Sequence, residues 1–131
     1  MLFRSAIGHL TKTGFEKTIR NIRHNLKDGG IYVFDILNLE AMTDLVVADL
    51  AYCVHKEINE SQIFVVQCST IDKENGRLSS YDNYTIQKNA DKPENFNHKS
   101  SLQLYTAKEL KEMLAKNGFE IIGQYGMDGS E

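Results

Sequence analysis

A chain of 131 residues, 41% hydrophobic and 25% charged, has the make-up of one globular domain with a core of its own. Its formal net charge of -3, with no basic stripe, argues against a nucleic-acid partner, and no apolar run approaches the roughly 20 residues of a membrane span. The N-terminus lacks a signal-peptide pattern, and the two cysteines, Cys53 and Cys68, have no metal-ligand spacing, so a reduced, cytoplasmic setting without a zinc or iron site is expected.

Met1 to Leu10 is apolar from its first residue, like a chain entered partway through a fold, and reads as a strand end running into a loop. Thr13 and Glu16 have capping-box spacing. Phe15, Ile19, Ile22 and Leu26 then fall at steps of four, three and four, one face of an amphipathic helix. Gly29 and Gly30 end it, because glycine takes the left-handed conformation of a C-cap without penalty.

The helix turns directly into Ile31-Tyr-Val-Phe-Asp-Ile-Leu37, an apolar run broken only by Asp35. Such a run predicts a central strand buried on both faces, as in a parallel sheet covered by helices. Asp35 and Asn38 then stand at its C-terminal rim, where open α/β folds hold their ligands. Leu39 to Leu50 predicts a short helix with Asn38 as N-cap.

From Tyr52 the pattern turns β. Ile63-Phe-Val-Val66 is strongly β-prone, and Asp72-Lys-Glu-Asn-Gly76 is a hairpin turn. Arg77 to Gln87 alternates, with Leu78, Tyr84 and Ile86 on one parity and Tyr81 on the other. Asn89 to Asn97, with Pro93, predicts a solvated loop, and His98 to Tyr105 a further strand. About 45 to 105 is thus an antiparallel meander of three or four strands, with too little apolar content to stand alone. Thr106 and Glu109 form a second capping box. Leu110, Met113 and Leu114 give the next helix its apolar stripe, Asn117-Gly118 closes it, and Glu120 to Tyr125 predicts a last strand.

The order of these elements, Leu-Lys-Asp-Gly-Gly before Ile-Tyr-Val-Phe-Asp and later Tyr105-Thr-Ala-Lys-Glu-Leu…Asn-Gly-Phe119, resembles the C-terminal half of class I S-adenosylmethionine-dependent methyltransferases. It resembles in particular the small-molecule group with a β-meander inserted after strand five. The resemblance spans nearly the whole chain; where the family has "LxPGG" this chain has Asp28. It implies one α/β domain over residues 1–131: a partial Rossmann-like sheet with helices and an inserted meander. It further implies methyl transfer to a small-molecule acceptor. The opening Ser5-Ala-Ile-Gly-His9-Leu10 would be the loop after strand four, at the methionine end of the cofactor.

The family's glycine-rich loop after strand one and acidic residue after strand two, which cradle S-adenosylmethionine, have no counterpart here. The expectation is therefore a truncated or partial enzyme, with weak or absent cofactor binding alone. Its exposed edge would be covered by a second copy or by a complementing N-terminal half. The rival expectation is a non-catalytic α+β binding or oligomerisation module.

By the resemblance, Arg4, Ser5 and His9 would touch cofactor or substrate; the plain alternative is a solvated loop. His9 would by the same resemblance be the candidate general base, the role for which histidine is the usual side chain. Asp35 could hold and deprotonate an acceptor amine, with Asn38 beside it, or simply bond a backbone amide. His55, Tyr84 and Tyr125 could wall a substrate pocket, as could Tyr81, Tyr105 and Asp128; such aromatics also serve merely to pack a sheet face. Cys53 and Cys68 read as inert buried thiols.

Overall fold

A computed structural model describes residues 6–126 and Gly129. Arg4, Ser5 and Asp128 lie outside the described residues, as does the expected strand end at Met1 to Ser5.

A 3-10 turn, Ala6–His9, leads into helix α1, Lys12–Asn25. The N-cap is Thr11, whose hydroxyl accepts from the Gly14 amide at 3.0 Å, so the capping box expected at Thr13 gives way to a start two residues earlier. The apolar face is as the spacing predicts: Phe15 and Ile19 are fully buried, Ile22 and Leu26 half-buried. Gly29, at φ +73°, supplies the left-handed turn out of the helix.

The Ile31–Leu37 segment corrects the sequence reading. It is extended, but among the described residues it joins no hydrogen-bonded ladder except at its end, where Asn38 makes a parallel bridge to Tyr105. Nor is it buried on both faces. Tyr32, Phe34 and Ile36 pack inward, while Ile31 and Val33 are 66% and 84% exposed. Side chains of an extended chain point alternately to opposite sides, and only one side meets the helices. Glu120 to Tyr125, expected as a last strand, joins no ladder among the described residues either, and Ile122 is exposed.

The single helix expected over Leu39 to Leu50 is two short pieces. Asn38 caps a 3-10 turn, Leu39–Ala41, through a bond to the Glu40 amide at 3.0 Å. Thr43 caps α2, Asp44–Asp49.

The meander has four strands in sequential antiparallel order: β1 Tyr52–Ile58, β2 Ser61–Asp72, β3 Arg77–Lys88 and β4 Glu94–Gln103. The expected loop over Asn89 to Asn97 is shorter, because residues from Glu94 onward pair with β3 from Ile86. The β1–β2 turn is Asn59-Glu60, both at positive φ, as the twist of a two-residue hairpin requires. At the β2–β3 turn Gly76 has φ +64°, and a Cβ there would lie 2.7 Å from the Leu104 carbonyl. The Gln103 amide, buried, donates to the carbonyls of Asn75 and Gly76 at 2.9 Å and locks this turn to the end of β4.

Helix α3, Ala107–Lys116, carries the expected reciprocal capping box: Glu109 N–H donates to the Thr106 hydroxyl and Thr106 N–H to the Glu109 carboxylate. Its end matches too, with Phe119 N–H bonded to Leu114 O at 3.0 Å and the ring packed on the core.

Two apolar clusters hold these parts together. One joins α1 to α3: Ile7, Phe15, Ile19, Tyr105, Leu110 and Leu114. Phe15 stands edge-on to Phe34 at 5.8 Å and meets Tyr105 at 5.6 Å, which pins the extended segment to the helices. The other joins α2 to the inner end of the sheet through Val47, Leu78 and Leu104, with Ile71 and Leu102 against them. Among the described residues no helix is long and apolar enough to cross a membrane.

Candidate functional site

Alternation along the strands assigns each meander residue to one of two faces. Leu78, Ser80, Asp82 and Tyr84 of β3 share a face with Ile71, Ser69, Gln67 and Val65 of β2, and with Leu102, Ser100, His98 and Phe96 of β4, through their paired registers. This is the face that meets the rest of the molecule. Helix α2 covers its β2 side, where Gln67 reaches the Leu50 carbonyl at 3.3 Å. The Ala6–His9 turn covers its β4 side so closely that a Cβ on Gly8 would stand 3.3 Å from Leu102 Cδ2.

The rim beside this face is built from chain ends. His9, exposed, closes the 3-10 turn. Leu39 N–H bonds the Tyr105 carbonyl at 2.9 Å, so Asn38 and Tyr105 arrive side by side. Lys12 crosses from α1 to Glu109 of α3 at 2.8 Å and lies over the Tyr105 ring. That bond, with the Thr106 amide, holds the Glu109 carboxyl below its usual range. Tyr105 is fully buried and its hydroxyl has no hydrogen-bond partner among the described residues. Burial, with the Glu109 carboxylate adding, pushes the phenol up to about 12, so it stays neutral.

The sequence-predicted residues scatter around this geometry. His9, Asn38 and Tyr84 lie toward the packed face of the meander or its rim. Asn38 spends its side-chain oxygen on the helical cap, which is a structural task. Asp35 lies on the exposed side of its segment with Ile31 and Val33. His55 belongs to the opposite sheet face, stacked on Phe64 at 4.4 Å and bonded to Gln62. Tyr125, 66% exposed, lies against Gly123. Cys53 and Cys68 are exposed, not buried: both fall on the outward face of the sheet.

Sequence reasoning passed over the most polar part of the packed face. Ser69 and Ser80 pair hydroxyl to hydroxyl at 2.9 Å. One step outward, Asp82 Oδ2 meets His98 Nδ1 at 3.2 Å across the strand pair. The signal was present as parity, since Ser80 and Asp82 alternate in step with Leu78. His98 reads as the start of a strand, but its partner depends on the β3–β4 register, which the sequence pattern does not set. Among the described residues no cluster of three or more metal-ligating side chains occurs.

This architecture is a class I S-adenosylmethionine-dependent methyltransferase fold, in its Rossmann-like α/β form. The solved structures that share it are specific. The sugar N-methyltransferase KedS8 from Streptoalloteichus matches at TM-score 0.72 and 17% identity, over 99% of this chain and 49% of its own. DesVI from Streptomyces venezuelae matches at 0.62 and 15%, over 98% and 52%. CalS10, an amino pentose methyltransferase from Micromonospora echinaspora solved with S-adenosylmethionine bound, matches at 0.64 and 16%, over 89% and 47%. This chain therefore spans about half the length of the structures it resembles. No protein-family model and no curated protein matches it.

The glycine-rich cradle that the family uses for S-adenosylmethionine is not found among the described residues: no glycine-rich turn there joins a strand to a helix. Of the residues expected at the cofactor's methionine end, only His9 is among those described.

Proposed function

We propose that this chain is the acceptor-side part of an S-adenosylmethionine-dependent methyltransferase, acting on an amino group of a small polar molecule such as an amino sugar. The cofactor would be held chiefly by a complementing half that carries the glycine-rich loop. The carrying observation is the match to KedS8 over 99% of the chain. The uncovered side of residues 31–37, apolar at Ile31 and Val33, fits a rib whose covering layer belongs to that other half. The chain's own contribution would be alignment of the acceptor, which is worth several orders of magnitude in rate when the reacting atoms are held in line.

The test is a chimera. The cofactor-binding half of KedS8 is fused ahead of this chain, and transfer of labelled methyl from S-adenosylmethionine to an amino sugar is measured. The chimera is expected to transfer methyl. The chain alone is expected to bind the cofactor with Kd weaker than about 1 mM by titration calorimetry. A tight complex with the chain alone overturns the divided pocket. A folded chimera that binds no cofactor overturns the methyltransferase reading.

The missing glycine-rich turn favours a second reading, a non-catalytic module. It predicts a monomer at all concentrations in analytical ultracentrifugation, where an uncovered edge predicts self-association into a homodimer or larger species.

A further inference from the structure

A half-buried polar band, exposed at His98, crosses the packed face of the meander. Its inner row is Ser69, Ser80 and Ser100, its outer row Gln67, Asp82 and His98. The apolar row Ile71–Leu78–Leu102 closes it toward the core, and Val65–Tyr84–Phe96 closes it on the far side. Two rows along a strand span about 7 Å.

Within the band, Asp82 stands out. Its side chain retains 10% of its exposure, and Oδ1 is buried with no hydrogen-bond partner among the described residues. Leaving a buried carboxylate oxygen without a donor is costly. Among the described residues Oδ2 meets the His98 ring, itself 63% exposed. No lysine compensates from the neighbouring position, since Lys99 turns to the opposite face, 5.2 Å over the Tyr81 ring. The paired hydroxyls of Ser69 and Ser80 keep further donor and acceptor capacity beyond the bond they share.

We propose that Asp82, with His98 at its exposed side and Ser69 and Ser80 as hydroxyl partners, forms a subsite for an aliphatic ammonium group flanked by hydroxyls. The substrate class rests on the reading given under Proposed function; the binding itself does not. An ammonium brings several donors on a compact charge, and its bonds to a carboxylate are roughly twice as strong as neutral ones. A neutral hydroxyl compound would meet the serines but leave Asp82 poorly satisfied. Tyr84 then serves as the outer wall of the same subsite.

The experiment is an NMR titration of the isotopically labelled full chain with glucosamine, with glucose and N-acetylglucosamine as controls. Glucosamine is expected to move the resonances of Asp82, His98, Ser69 and Ser80 saturably. The two neutral sugars should bind at least about tenfold more weakly there. Asp82→Asn should lower glucosamine affinity by a similar factor. His98→Gln, which keeps the carboxylate, should hold it within about threefold. Equal responses to glucose, no response at these four residues, or loss of binding in His98→Gln each overturns the proposal. If Asp82→Asn does not fold, the wild-type comparison of the three sugars decides alone. Glucosamine binding here beside a methyl-silent chimera would sink the methyltransferase reading and keep the subsite. An active chimera with a silent Asp82 would do the reverse.

Discussion

Residues 31–37 and 63–66 have nearly the same β-forming composition, yet they end in different states. Ile63 to Val66 sits in the middle of β2, paired residue for residue with β1 on one side and β3 on the other. Ile31 to Leu37 also alternates in burial, packing inward through Tyr32, Phe34 and Ile36 and, onto the second cluster, Leu37, but it joins no ladder of its own among the described residues. The comparison separates two things that composition merges. Propensity makes a segment extended; partners on both edges make it a strand.

The largest consequence should be seen in native-state hydrogen exchange. Amides at 64 to 66 are expected to exchange on the order of a thousandfold more slowly than those at 32 to 36, since the former open only with the sheet. Equal protection would show that the extended segment has partners after all. Next comes the aromatic anchor. Phe15→Ala should cost about 3–5 kcal/mol in urea unfolding, because it removes a fully buried ring that meets both Phe34 and Tyr105. It should also free residues 31–37 before β2, visible as faster exchange there.

Smaller effects follow from the cap that orients α3. Thr106→Ala should lose about 1 kcal/mol. Glu109 has its folded pKa lowered by Lys12 and the Thr106 amide, so its contribution is present above the unfolded carboxylate pKa and lost as pH falls through the folded value. Glu109→Gln should therefore differ from wild type at neutral pH and converge with it in acid, measured by denaturant midpoints across pH. The smallest change belongs to the uncovered side of the extended segment. Val33→Ser should alter stability by less than about 0.5 kcal/mol, given that Val33 is 84% exposed. A larger loss would mean that this side is covered in solution.

Much of this was legible from residue order alone. Helical spacing found Phe15, Ile19, Leu110 and Leu114 as core, because a helix buries residues by local period. Thr106 with Glu109, and Gly118 with Phe119, were legible for the same reason: caps are made within a few residues. Ladder membership was not, since the neighbours of residues 31–37 are a non-local matter. The Asp82–His98 pair was also missed, because it exists only once β3 and β4 are set in register across 16 residues of sequence.

The register itself has an evolutionary corollary. β2 and β3 match without a bulge over their whole lengths, as does β4 along β3 from Arg77 to Ile86. Deleting one residue inside β3 would invert its pleat, sending Asp82 and Ser80 to the outward surface and Tyr81 inward. Lineages descended from this sequence should thus change length freely at 59–60 and 89–93, and within the strands only by pairs.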